Sequence, residues 1–187
     1  LLAREDAHTL AILGAGVQGR SHLDLLPRVR TFREIRIASR DPERARVLAA
    51  WHPRAIAVTS FEEAVRGADV VACCTDAREP VIRRTWLADG VHVNSVGGTF
   101  GPELDPGTVA AARVFVEWRG VVIHRPPAGA HDLQGLDPAQ VTELGEVLSR
   151  RRSGRREPSD LTIYKSVGHA AEDVVAARLV YDRLHRP

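Results

Sequence analysis

The sequence has no methionine, and Lys165 is its one lysine although lysine and arginine together number 26. With no methionine, the chain is expected not to open at a natural initiator. Leu1-Leu2-Ala3-Arg4 is therefore expected to be the last turns of a helix cut in the middle, and residues 1–8 are assigned to the end of a connecting helix. The scarcity of lysine reflects an arginine-favouring composition, and it also marks position 165 as a place that needs a lysine. Cysteine is nearly absent too. Cys73 and Cys74 are neighbours, so on a strand they alternate faces and do not easily pair with each other. That excludes a disulfide framework and predicts inert core thiols in a reducing compartment, hence a cytoplasmic location. No apolar run reaches about 18 residues, which argues against a transmembrane helix. No charged start precedes an apolar centre as in a secretory signal. The formal net charge is only +2, so electrostatics makes no case for nucleic acid or a membrane surface.

What is present is enough chain, 187 residues, for one α/β domain with an extension. It is organised around Thr9–Gly19, which reads T-L-A-I-L-G-A-G-V-Q-G. A short apolar run ends in Gly14-x-Gly16-x-x-Gly19, and a helical pattern follows at once. This strand–turn–helix opens a dinucleotide-binding unit. Gly14 permits the tight turn, Gly16 lets the backbone approach a pyrophosphate, and Gly19 lets the helix pack on the strand. Free N–H groups and the positive end of the helix dipole hold phosphates there. The same turn also occurs in α/β domains that bind nothing.

Strand and helix signals then alternate. A helix is expected over Val17–Val29, a strand over Ile35–Ala38, and a helix from the Asp41-Pro42 cap to about Trp51. Ala55–Val58 reads as a strand, and Ser60-Phe61-Glu62-Glu63 as a capping box. Asp69–Cys74 is an uninterrupted apolar strand, as expected when both sheet faces are covered. Val91–Asn94 and Val114–Val116 are further strands, with an Asp105-Pro106 helix start between them. The pattern predicts an α/β fold with a doubly wound parallel sheet. A Rossmann domain is placed at residues 9–135. From Arg119 the alternation breaks. Residues 136–187 are assigned to an extension with a helix from Asp137-Pro138 to about Leu148, a strand over Leu161–Tyr164 and a helix from Gly168 to about Leu184. The Arg150–Arg156 run reads as a solvated turn rather than a nucleic-acid contact. His22, His124, His131 and His169 show no metal-ligand spacing with cysteine or acids, so no metal site is expected.

The end of the second strand discriminates between cofactors. An acidic residue there favours NAD through the ribose 2′-OH. Here the position holds Ser39-Arg40. A hydroxyl and a guanidinium that forks onto a 2′-phosphate favour NADP(H) over NAD(H). Asp41 could turn inward and reject that phosphate, but its place before Pro42 assigns it to capping. Glu34 lies at the wrong end of the strand.

Several segments in order resemble the ornithine cyclodeaminase/mu-crystallin family. They are Leu13–Gly19; Cys74-Thr75-Asp76 with Glu79-Pro80-Val81; Val93-Asn94-Ser95-Val96-Gly97-Gly98; Glu103-Leu104-Asp105; Glu143–Val147; and Tyr164-Lys165-Ser166-Val167-Gly168 with Glu172-Asp173. The resemblance implies a two-domain, homodimeric enzyme. Its second domain, made mostly of an N-terminal part outside this chain plus the C-terminal extension, binds substrate. The family's substrate-binding Arg and catalytic Lys fall in that missing part. By position, Val17 and Gln18 would touch the pyrophosphate and Ser39 the adenosine ribose, with Thr75 at a strand end near the cofactor. Val93, Asn94, Ser95 and Val96 would line the nicotinamide side, Ser166 would approach the nicotinamide, and Val167 would face substrate.

One departure separates the family's activities. Thr99 stands where cyclodeaminases carry an Asp that acts on the substrate amine, and a hydroxyl is no useful base near neutral pH. The resemblance therefore points to ketimine reductase-like hydride transfer on imines or amino acids. Ornithine cyclodeaminase or alanine dehydrogenase activity is the nearest alternative. A non-catalytic NADPH-dependent binder of a small ligand, of mu-crystallin type, is the other. Whether this chain is an enzyme by itself stays open.

Overall fold

Each apolar run of the first half becomes a strand, and the caps read from sequence open the helices between them. In the computed structural model, which describes residues 1–185, eight strands form one sheet in the order β3-β2-β1-β4-β5-β8-β6-β7. They are β1 Thr9–Leu13, β2 Glu34–Ala38, β3 Ala55–Ala57, β4 Val70–Cys73, β5 His92–Ser95, β6 Arg113–Val116, β7 Thr142–Glu143 and β8 Thr162–Lys165. Every pairing is parallel. The helices are α1 Val17–Val29, α2 Pro42–Ala49, α3 Phe61–Val65, α4 Pro106–Ala111, α5 Gly120–Ile123, α6 Leu144–Leu148 and α7 Ala170–Leu184. The fold is a parallel, Rossmann-like α/β sheet.

Strand alternation explains the uninterrupted apolar runs of β1 and β4. Leu10 and Ile12 face one side of the sheet with Ile35, Ile37, Val70 and Ala72. Ala11 and Leu13 face the other with Val71, Cys73 and Val93. Leu10, Ile12 and Leu13 are wholly removed from solvent, each worth about 2 kcal/mol in transfer free energy. Asp41 accepts from Glu43 N and Arg44 N to start α2, with Pro42 in the first turn. Asp105 does the same for α4 through Thr108 N, and Ser60 caps α3 through Glu63 N. From β1 the chain winds outward through β2 and β3, then returns so that β4 lies on the other flank of β1. The crevice at the carboxyl ends of β1 and β4 is the topological switch point of such a sheet.

Three expectations are corrected. Residues 1–8 form no helix. Asp69, just ahead of β4, draws that segment along the sheet by accepting from His8 N and Thr9 N, both at 2.9 Å, and from the Arg4 guanidinium. The helix expected from Asp137 to Leu148 is broken into a single turn at Pro138–Gln140, the strand β7 and the helix α6. Val141 is fully buried, and β7 pairs with Phe115 and Val116 of β6. The capping box between Glu143 and Glu146 then starts α6 afresh.

The boundary expected at residue 135 is no break in the sheet. β8 comes from beyond it, yet it inserts between β5 and β6 and pairs with both. The two faces of this half also differ. Val93, Ile163 and Val114 are packed beneath one face. His92, Asn94 and Tyr164 look from the other into an open groove shared with Leu2 and Phe32. Beyond β8, α7 has no buried residue, and Val174, Val175, Leu179 and Leu184 are exposed on it. Arg186 and Pro187, the end of the expected 136–187 extension, lie outside the described residues. No helix among the described residues is long and apolar enough to cross a membrane.

Candidate functional site

The glycine turn leaves β1 at the switch point. Gly14 takes φ +103°, and a Cβ there would lie 2.4 Å from Cys74 O. A Cβ on Gly19 would lie 2.0 Å from Gly14 O, so α1 can approach β1 this closely only without one. Gly16 is different. A Cβ there would meet no protein atom within 4 Å, so its bareness serves no internal packing and opens the turn outward. Gly16 also stands at the N-cap of α1, where no side chain caps the helix and no acidic residue occupies the first turn. The positive end of α1 therefore faces a cleft of about 450 Å³. Such a cradle, bare of side chains at the point of closest approach, fits a dinucleotide pyrophosphate.

The cleft gathers most of the residues singled out from sequence. Gly14, Gly16, Val17 and Gln18 line it at the glycine turn, with Ser39 and Arg40 on the β2 side of β1 and Thr75, Val96 and Thr99 on the β4 side. Gly19 does not line it. Asp41 is held in its capping role, as expected. Arg40 pairs with Asp76, and both remain exposed. Arg44 also borders the Ser39 side, 3.4 Å from Asp41. Sequence reasoning missed Arg44, though its place one turn into α2 was the available signal.

Other expected residues do not reach the cleft. Val93 is fully buried in the core on the far side of β5. Asn94 points to the opposite face, its Oδ1 3.1 Å from His92 Nε2. Ser95 is turned inward, and its Oγ donates to Glu103 Oε2 at 2.7 Å. The cause is period-two alternation: within a strand, consecutive side chains cannot share one face. Ser166 follows the end of β8, its N–H donating to Ser95 O at 3.0 Å. Its hydroxyl meets Glu117 Oε1 at 3.4 Å. Val167 N donates to the same oxygen at 2.7 Å, and the Val167 side chain packs on the core.

Behind the Thr75–Thr99 side lies a group of residues whose meeting was not foreseen. Glu103 is fully buried. Its Oε1 accepts from Thr75 N at 2.8 Å and Thr75 Oγ1 at 2.7 Å, and its Oε2 from Ser95 Oγ and from Gly97 N at 3.0 Å. Lys165 is equally buried. Its ammonium donates to Ser95 Oγ at 2.8 Å and Gly97 O at 3.0 Å, and lies 2.8 Å from Asp132 Oδ2. Asp132 Oδ1 in turn accepts from Glu103 N at 2.6 Å and Leu104 N at 2.7 Å. The carboxyl ends of β4, β5 and β8 are thereby tied together. The one lysine of an arginine-rich chain was the signal for Lys165, and the His131-Asp132 neighbours were the local signal for Asp132. Burial pushes the thiols of Cys73 and Cys74 up, so both stay neutral and unreactive beside the site.

The fold and this crevice define a Rossmann-like α/β protein with a bare, uncapped helix start at its switch point. The family is shown directly: the model of the ornithine cyclodeaminase/mu-crystallin family matches residues 1–186, and the chain belongs to that family. Ketimine reductase mu-crystallin of Mus musculus is 37% identical over 185 residues, covering 97% of this chain and 57% of that protein. Delta(1)-pyrroline-2-carboxylate reductase of Bacillus cereus is 33% identical over 198 residues, covering 97% and 59%. Among solved structures, Delta(1)-pyrroline-2-carboxylate reductase of Thermococcus litoralis in complex with NADH and L-proline superposes with a TM-score of 0.88 at 32% identity, covering 97% of this chain and 59% of that one. The chain thus spans under two thirds of the length of these relatives.

Proposed function

We propose that this chain is the nicotinamide-dinucleotide-binding part of an oxidoreductase that reduces the C=N bond of a small imine or oxidises the corresponding amino acid. The observation that carries the reading is Gly16: bare, at an uncapped helix start, facing a cleft at the switch point. The cofactor would supply the hydride from its nicotinamide C4. The chain's own part is to bind and orient it, with the first turn of α1 on the pyrophosphate, Ser39 at the adenosine ribose, and Thr75, Val96 and Thr99 walling the reactive end. Ser166 and Val167 stand on the neighbouring strand end, where the rest of the site would be completed. The names of the relatives support imine and cyclic-imine carboxylate substrates. Thr99 at the cleft, in place of a carboxylate, supports reduction over amine-elimination chemistry.

NADP(H) is the favoured form. Arg40 and Arg44 bracket the Ser39 side with two guanidinium groups, and capping keeps Asp41 occupied. The open apolar side of α7 and the groove beside Leu2 and Tyr164 fit a second domain and a homodimer in the full-length protein. The free, buried cysteines fit a cytoplasmic setting.

Fluorescence titration of the chain with NADPH and NADH at equal salt tests the cofactor reading. NADPH oxidation by the full-length protein with Delta(1)-pyrroline-2-carboxylate tests the reaction. Binding of one or both cofactors with turnover is the expected result. No binding would refute the cofactor reading, and binding without turnover of any cyclic imine would leave a non-catalytic binder.

A further inference from the structure

Glu103, Asp132 and Lys165 bring two formal negative charges and one formal positive charge into a place with side-chain exposures of 0% and 1%. The balance is one negative charge. Water does not screen it, so its field acts at reduced dielectric and is little affected by salt. The group stands directly behind one side of the cleft. Glu103 holds the backbone N–H of Thr75 and of Gly97, and Lys165 holds Gly97 O. A Cβ on Gly98 would lie 2.9 Å from Lys165 Nζ and 3.6 Å from Asp132 Oδ2. Thr75, at the end of β4, lies across β1 from Ser39 at the end of β2, where the adenosine ribose is assigned, so this is the side that would receive the nicotinamide ring. Glu117 adds a further carboxylate at the end of β6, beside Ser166 and Val167.

The nicotinamide ring is neutral in the reduced cofactor and cationic in the oxidised one. An unscreened negative charge behind it stabilises the cation and leaves the neutral ring almost unaffected. We infer that the Glu103–Asp132–Lys165 group is a positioning and electrostatic support that biases the bound cofactor toward its oxidised form, easing hydride donation. The inference rests on the cofactor reading above. It also explains why the group is charged: an apolar or neutral hydrogen-bonded filler could hold the loop equally well, but would not distinguish the two redox forms.

The test measures the dissociation constants of NADP+ and NADPH by calorimetry on the full chain and on E103Q, D132N and S95A. E103Q and D132N each remove one negative charge with little change of shape. Each is expected to weaken NADP+ relative to NADPH by about tenfold or more, the size of one unit charge removed about 10 Å away at an effective dielectric of about 20. S95A removes a hydrogen-bond partner of Lys165 without changing charge, and is expected to move both constants alike. The wild-type chain reads the same quantity without substitution, and is expected to hold NADP+ more tightly than NADPH. An unchanged ratio in E103Q and D132N, or a wild-type preference for NADPH, overturns the inference and leaves the cofactor reading intact. Failure of the wild-type chain to bind either form overturns both.

Discussion

Lys165 and Asp132 meet as ammonium and carboxylate 2.8 Å apart, with almost no exposure of either side chain. One comes from the end of β8, the other from the turn at His131–Leu133. Such a pair contributes little net stability over an apolar substitute, but breaking it strands the partner charge. Lys165→Met is expected to cost about 3–5 kcal/mol in urea denaturation. Lys165→Arg is expected not to rescue it, because a planar fork cannot reproduce a point charge shared by Ser95 Oγ, Gly97 O and Asp132. Wild-type stability in the arginine variant would show that the site only requires a positive charge.

Gly19 and Gly16 of the turn separate folding from binding. Gly19→Ala places a Cβ 2.0 Å from Gly14 O, so α1 must shift, and a loss of about 1–3 kcal/mol in stability is expected. Gly16→Val places its Cβ where no protein atom lies within 4 Å. It is expected to cost no more than about 1 kcal/mol, through the poorer N-cap, while reducing NADPH affinity at least about tenfold, since it removes the close backbone approach. Equal losses of stability in the two variants would argue that the turn is structural throughout.

Under the proposed NADP(H) preference, Arg40 and Arg44 are the groups that would hold the 2′-phosphate. Hydrogen bonds to a charged group are worth about 1.5–3 kcal/mol, so the double substitution of both by Ser is expected to weaken NADPH about tenfold or more. NADH affinity is expected to change little. Titration of both cofactors against the variant checks this, and an equal effect on the two would remove the 2′-phosphate from the argument. Asp41→Ala, by contrast, is expected to act on stability through its lost cap, by about 1 kcal/mol.

His92 introduces a pH dependence. It is buried, with Nδ1 2.9 Å from Thr162 Oγ1 and Nε2 3.1 Å from Asn94 Oδ1. Burial, above all, holds its pKa down from 6.5 to about 4. The unfolded chain therefore takes up a proton in a range where the folded one does not. Its contribution is fully present above the unfolded value and is lost as pH falls toward the folded one, to a total of about 3 kcal/mol. Urea midpoints compared at about pH 7.5 and about pH 4.5 should differ more for the wild type than for His92→Gln. Identical acid sensitivity would place the titration elsewhere.

The sequence by itself determined what depends on neighbours along the chain. The β1–glycine turn–α1 unit, the caps at Asp41-Pro42, Ser60 and Asp105-Pro106, and the doubly covered β4 were all legible. Periodicity, capping and glycine geometry act within a few residues, and the glycine turn and the Ser39 side of the cleft follow from them. The same local signals misled at Asp137-Pro138, where the cap chemistry is real but only a single turn follows, because Val141 is drawn into the core and β7 onto β6.

Tertiary structure alone decided which side of a strand end each residue serves. Asn94 and Ser95 are adjacent in sequence and face opposite ways, so a motif spanning both could not tell which one nears the cleft. Strand order likewise placed β8 between β5 and β6, and thereby brought Lys165 to Glu103 and Asp132. Contacts between residues so distant along the chain depend on how the sheet is assembled. The energetics of a buried charge appear only once its partners have been delivered to it.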